Sequence, residues 1–220
     1  MPPRSRRERP AKPALTYEGI VDAAVRLMRE EGLRRVTMRR LAGELDTGPA
    51  SLYVYVRDTA ELHAAILEEL LGGVDLRPAG DEGDWRERLV AVLTSYTGVL
   101  FENPELARSA LTARPAGRNY LALVEALLSL LHEGGVPDAR AAWGVDVLLQ
   151  VATATAAEHA GGDGAGPEGV AAALREAPAA SYPRIAALGD DLLSGTPQER
   201  VRWAFHMLIN GALHTPRTDG

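Results

Sequence analysis

Residues 37–62, TMRRLAGELDTGPASLYVYVRDTAEL, constrain the fold more than any other part of the chain. Thr37 is placed to cap a short helix over 38–45 that presents Leu41, Ala42 and Leu45 inward. Ala42 is small, which permits a close helix crossing. A turn around Asp46–Gly48 leads into a second short helix over 49–55. That helix opens on Pro49, where a missing N–H is not needed. Asp58 and Glu61 make a capping-box-like D-x-x-E at the start of a further helix over 59–72. Two short helices joined by a tight turn form a helix-turn-helix, whose second helix fits a DNA major groove. An ordinary helical hairpin shares the outline, but the spacing favours the DNA reading.

The preceding residues supply the helix on which this unit would pack. Ile20, Ala23, Ala24, Leu27 and Met28 fall on one stripe of a helix over 17–31. Thr16 is its expected N-cap, Glu18 suits its positive first turn, and Gly32 is its expected stop. Charge is divided along the chain. Residues 1–60 hold 12 Lys/Arg and 8 Asp/Glu, whereas residues 61–220 hold 12 and 22. A basic head on an acidic body is the pattern of a DNA-binding module joined to something that does not bind DNA. Residues 1–15 are rich in Pro and Arg and are expected to be disordered in isolation. They could follow phosphates or a minor groove, or form a solvated tail.

Beyond GGVDLRPAGDEGD (72–84), which reads as a linker and domain boundary, the pattern is helical throughout. Segments 85–102, 105–113, 117–133, 138–160 and 197–213 carry helical periodicity, with further helices near 182–193 and 168–176. The expected fold is all-α. It divides into a basic arm (1–15), a helix-turn-helix domain (16–72, with 59–72 as connector) and a helical domain (85–220). The absence of cysteine excludes disulfides and thiolate metal sites and suits a reducing cytoplasm. No apolar run approaches the ~20 residues that span a bilayer. The basic N-terminus has no apolar stretch behind it and does not read as a signal peptide.

The head resembles the TetR family of bacterial transcriptional regulators. The resemblance is carried by Thr37, Leu41, Ala42 and Leu45, by Ser51-Leu52-Tyr53, by Tyr55 and by the helix started at Asp58. The body is similar, more weakly, to the tetracycline-repressor branch of that family through Trp85, LTARP (111–115), Tyr120 and the long helix ending Ala157-Glu158-His159. The segment GPASLYVYV (48–56) also fits that branch.

The resemblance implies a homodimeric repressor, released from a palindromic operator by a small organic effector. DNA contact is expected from Thr37, Arg39, Arg40, Gly48, Pro49, Ala50, Ser51, Tyr53, Tyr55 and Thr59. The chemistry agrees. Arg39 suits a guanine edge or a phosphate, while Arg40 is equally a solvated face charge. Ser51 can reach a base edge or phosphate, and Pro49 and Ala50 offer apolar contact to a thymine methyl. Tyr53 and Tyr55 can donate to phosphates. The helix start at Thr59 can hold a phosphate by its dipole. Thr59 stands where the family usually has Lys, which predicts a salt dependence shallower by about one unit of slope.

In the body, the expected ligand-binding residues are Tyr96, Leu100, Leu111, Arg114, Trp143, Val147, Gln150 and Val151. Dimerisation is expected through helices 138–160 and 197–213, the latter with the stripe Val201, Ala204, Phe205, Leu208, Ile209 and Ala212. That stripe is equally suited to the protomer's own core. Ala110 occupies the position of a metal-ligating His in the tetracycline branch, and Val92, Ala113 and Ala126 replace polar drug contacts. A tetracycline–magnesium effector is therefore not expected. A less polar organic ligand is expected instead, uncharged or weakly anionic if Arg114 faces it. No cofactor and no metal site is expected. GAGPEG (164–169) matches G-x-G-x-x-G, but it follows an Ala-rich helix rather than a strand and contains Pro167, so GGDGAGPEG reads as a mobile loop. The five histidines show no metal-ligand spacing, and no catalytic motif is evident. Two further classes remain open. One is an activator or ligand-independent DNA binder; the other is a helical enzyme or carrier with an incidental helix-turn-helix.

Overall fold

Helices begin where the sequence supplies a cap. In the computed structural model, which describes residues 14–159 and 165–217, Thr16 Oγ1 accepts from the Gly19 N–H at 3.0 Å and opens α1 (Tyr17–Glu31). Gly32, at φ 85°, ends it by donating to the Met28 carbonyl. Thr37 Oγ1 accepts from the Arg40 N–H and opens α2 (Met38–Glu44). Asp46 turns the chain at φ 48°, a conformation that Asp tolerates better than most side chains. Then come α3 (Pro49–Leu52) and α4 (Thr59–Leu71). Asp58 Oδ1 accepts from the Glu61 N–H. The return bond of the capping box is displaced by one residue, because Glu61 Oε2 accepts from the Arg57 N–H instead.

The third helix is shorter than the spacing suggests. It stops at Leu52, and Tyr53–Tyr55 form a turn in which Tyr55 and Val56 both donate to the Leu52 carbonyl. Val54 and Val56 are β-branched and weak helix formers. Val56 is buried, so the turn folds it inward. The chain forms two compact units, one ending at Leu62 and one beginning at His63. The seam therefore lies within the continuous helix α4 rather than in the 72–84 segment. The buried residues of the first unit include Ile20, Ala24, Leu27, Leu41, Ala42, Leu52, Val56 and Leu62. Residues 1–13, most of the expected basic arm, lie outside the described residues.

The second unit continues with α5 (Trp85–Glu102), α6 (Pro104–Ala110), α7 (Arg118–Glu133), α8 (Asp138–His159), α9 (Ala165–Glu176), α10 (Pro183–Leu193) and α11 (Pro197–His214). Among the described residues every regular element is helical. The 72–84 stretch is not a free linker. Val74 is buried, the Asp75 N–H donates to Ser95 Oγ at 2.8 Å, and Arg88 donates to the carbonyls of Ala79 and Asp81. The helix expected over 105–113 stops at Ala110. The glycine-rich loop is also overturned in part, since α9 begins at Ala165 and includes Pro167 and Gly169. Pro167 is the third residue of α9, where backbone N–H groups have no intrahelical acceptor, so proline is tolerated. Residues 160–164 lie outside the described residues.

Helix α8 packs against α5, α6, α7 and α11. Its Val145, Leu148, Leu149, Ala152 and Ala156 are buried in one core with Leu89, Leu93, Leu127, Leu130, Phe205 and Ile209. Gly134 ends α7 against the Trp85 ring, and a Cβ there would overlap the indole. The stripe Val201, Phe205 and Ile209 belongs to this intramolecular core, with Leu208 and Ala212 packed at its edge. The apolar side chains that α11 leaves outward are Trp203 and Met207, on another face. Phe205→Ala should cost about 3–5 kcal/mol, since the ring is fully buried and its loss leaves a cavity. Urea unfolding followed by far-UV circular dichroism would measure it.

Candidate functional site

The head presents one polar face. Gly48 precedes α3, and Gly48, Pro49, Ala50 and Ser51 are all exposed, while Leu52 anchors the helix from beneath. Arg39 and Thr59 are exposed as well, and Tyr53 is 52% exposed. Thr37 serves through its hydroxyl as the cap of α2. Two expected DNA contacts are otherwise engaged. Arg40 bridges α1 and α2, with Nη2 2.5 Å from Glu31 Oε1 and Nη1 3.0 Å from Glu44 Oε2. That hydrogen bond holds the Glu31 carboxyl below the usual carboxylate range. Arg40's charge is compensated within the head. The Tyr55 hydroxyl donates to the Leu15 carbonyl at 2.8 Å, so its proton is not free for a phosphate.

The body holds a cavity of about 310 Å³, within the size range of small-molecule sites. Tyr96 of α5 lines it, as do Ala110 and Leu111 at the end of α6. Arg114 and Pro115 come from the following loop, Tyr120 from α7, and Leu149, Gln150, Thr153 and Ala154 from α8. Four expected residues are brought together here: Tyr96, Leu111, Arg114 and Gln150. Four are not. Leu100 is fully buried core, and Val151 is half-buried outside the lining. Trp143 and Val147 line a separate groove with Leu208, Ala212, Pro216 and Arg217, where the Arg217 guanidinium lies 4.1 Å from the centre of the Trp143 ring. Trp143 sits seven residues before Gln150 on nearly the same helix face, about 10 Å along the axis, where the neighbour of α8 is α11. Periodicity gives the face and not the position along it. Leu149, Thr153 and Ala154 were missed, although they continue the stripe of Gln150 at helical spacing.

Two polar arrangements shape the cavity. Thr153 Oγ1 donates to the Leu149 carbonyl at 2.7 Å, so the Tyr96 hydroxyl, 2.9 Å away, is the donor to Thr153. The Tyr96 oxygen retains acceptor capacity. Burial pushes the Tyr96 phenol up to about 12. At the cavity edge Asp146 bridges two donors, accepting from Arg114 Nη1 at 2.7 Å and from Gln150 Nε2. Ala110 lines the cavity with a methyl, which ligates nothing. Two ties hold the connector helix to the body. His63 Nδ1 lies 3.1 Å from Ser109 Oγ, and the Glu68 carboxylate meets the start of α7. Neither tie is legible from local sequence, because the partners are 46 and 51 residues away.

Comparison with known proteins identifies the family. The family described as bacterial regulatory proteins, tetR family, matches residues 20–66. The family described as tetracyclin repressor-like, C-terminal domain, matches residues 77–212, more than half the chain. The chain belongs to the TetR family of bacterial transcriptional regulators. The Streptomyces protein SCO7704, known from a crystal structure, is 59% identical, with a TM-score of 0.86 over 95% of this chain and 100% of that one. ActR of Streptomyces coelicolor in complex with actinorhodin is 32% identical, with a TM-score of 0.77 over 91% of this chain and 97% of that one. The transcriptional repressor DrrR1 of Streptomyces coeruleorubidus is 32% identical over 133 residues, 60% of this chain and 49% of that protein. The chain spans about half the length of the curated relatives it matches. No helix among the described residues is long and apolar enough to cross a membrane.

The Tyr96 environment gives a pH test. Its phenol is favoured neutral in the folded chain, so its contribution is complete below about pH 10 and is lost as pH rises toward 12. The slope is on the order of 1 kcal/mol per pH unit. Melting temperatures of the wild type and Tyr96→Phe should converge as pH rises from 9 to 11, because only the wild type loses this term.

Proposed function

We propose that the chain is a homodimeric repressor that reads a palindromic operator through α2 and α3 and is released from it by an organic ligand in the body cavity. The observation that carries this reading is the pairing of an exposed polar recognition face with a separate, formed cavity in one TetR-family chain. Arg39 and Ser51 are the base-reading candidates, with Pro49 and Ala50 beside thymine methyls. Tyr53, Thr59 and the Gly48 backbone serve phosphates. Arg40 and Tyr55 act by holding the head together. A two-fold dimer would set the recognition helices one DNA turn apart, ~34 Å. Trp143 and Val147 on α8, with Trp203 and Met207 on α11, are exposed apolar side chains on the two helices that pair across the proposed interface.

The ligand is an organic molecule with an aromatic part. The rings of Tyr96 and Tyr120, with Leu111, Pro115 and Leu149, provide apolar walls. Arg114 and the Tyr96–Thr153 hydroxyls provide the polar contacts. ActR structures holding actinorhodin and (S)-DNPA support a ligand of this kind. A magnesium–tetracycline chelate would find no imidazole at Ala110. Ligand weakens operator binding only by the degree to which it prefers the conformation with the wrong recognition-helix spacing.

Selection from a random duplex pool should enrich a palindrome with the wild type and not with the Arg39→Ala, Tyr53→Ala double variant. Equal enrichment by the two would mean that the head does not read DNA through these residues. Trp203→Glu with Met207→Glu should convert the dimer to monomer by sedimentation velocity and abolish enrichment; a variant that stays dimeric would place the interface elsewhere. Thr59→Lys should steepen the salt dependence of operator binding by about one unit of slope for each head. Thermal-shift screening should find aromatic phenols or carboxylates; hits confined to hydrophilic cations would contradict the ligand assignment.

A further inference from the structure

Helix α7 starts without a cap of its own. Its N-cap residue is Gly117, which has no side chain, and its first-turn N–H groups need acceptors from elsewhere. Glu68, on α4, provides them. Its carboxylate accepts from the Asn119 N–H at 2.6 Å, the Gly117 N–H at 3.2 Å and the Tyr120 N–H at 3.3 Å. The bond is returned in the other direction, since Asn119 Nδ2 donates to the Glu68 carbonyl at 2.9 Å. An anion at a helix N-terminus is favoured by the helix dipole, and its bonds to N–H groups are charge-assisted. The fit is close on both sides. A Cβ on Gly117 would stand 2.5 Å from the Glu68 carboxyl carbon, and a Cβ on Gly72, just past α4, would stand 3.3 Å from Asn119 Nδ2.

The position of this joint is what gives it meaning. The segment that Glu68 grips includes Tyr120, and Arg114 and Pro115 lie three and two residues before Gly117; all three line the cavity. On the other side, α4 runs without a break from Leu71 back to Thr59, in the head. A shift of Tyr120 or Pro115 against an occupant moves the same backbone amides that hold Glu68. We infer that Glu68 is the positioning residue that couples the cavity to the DNA-binding head, by capping α7 from the connector helix. The inference rests on the operator-binding reading above. Coupling is reciprocal, so operator binding at the head must alter the joint just as cavity occupancy does. The joint is therefore testable with DNA alone.

The experiment is amide hydrogen exchange on the full chain, alone and saturated with the selected operator duplex, with a scrambled duplex as control. Operator should change the exchange of the Gly117, Asn119 and Tyr120 amides by about fivefold, the low end of ordinary coupling. Glu68→Gln removes the charge and replaces one acceptor oxygen with a donor. In that variant the three amides should exchange fast with or without DNA, and operator Kd should shift by about threefold or more. Asn119→Ala should shift Kd in the same direction, and it keeps the test open if Glu68→Gln folds poorly. Amides indifferent to operator in a wild-type chain that binds it would overturn the inference. So would variants that lose only melting temperature while Kd stays at the wild-type value, since that is the signature of a cap that merely stabilises. A wild-type chain that binds no duplex would refute the operator reading itself, and the inference with it.

Discussion

The second unit depends on helix α8, which has to satisfy several surroundings at once. Val145, Leu148, Ala152 and Ala156 enter the core, where α5, α6, α7 and α11 close over them. Leu149, Gln150, Thr153 and Ala154 face the cavity. Trp143 and Val147 face outward beside α11. A helix with so many apolar demands has no broad polar face, and this one carries few charges along its 22 residues. Alanines at 152 and 156 let neighbouring helices approach closely. Thr153 adapts to the cavity by returning its own proton to the Leu149 carbonyl and leaving its oxygen for Tyr96.

Charge is used differently in the two units. In the head, Arg40 is neutralised by Glu31 and Glu44, which steadies the α1–α2 crossing and leaves Arg39 exposed beside the recognition helix. In the body, the ion pair of Arg114 with Asp146 sits half-exposed at the cavity edge, where water screens it and its net strength is modest. A weak pair is a suitable one to rearrange around a ligand. Glu68 is a third case. Among the described residues its carboxylate meets three peptide N–H groups and no cation, so its charge is answered by a helix N-terminus rather than by a counter-ion.

Much of this was legible in the sequence because it is local. Thr16, Thr37 and Asp58 open helices as their types suggest, and Gly32 closes one. Helical periodicity gave α1, α5, α7, α8 and α11 nearly to the residue. What failed was set by distant partners. The 72–84 stretch reads as a linker until Arg88 and Ser95 are found to hold it. Tyr55 reads as a phosphate donor until Leu15 is found to take its proton. Trp143 and Gln150 share a helix face, so no periodicity argument could assign one to the groove and the other to the cavity. The start of α9 is hidden by its glycines and Pro167, which read as a loop although proline is harmless in a first turn.

In the proposed mechanism, occupancy of the cavity and occupancy of the operator exclude each other to a measurable degree. The most direct test is fluorescence anisotropy of the selected operator bound to the full chain, titrated with the compound that most raises its melting temperature. Anisotropy should fall as the cavity fills, and Arg114→Ala should move the midpoint to higher compound concentration while leaving operator affinity unchanged without it. An operator complex indifferent to a compound that demonstrably fills the cavity would contradict the mechanism.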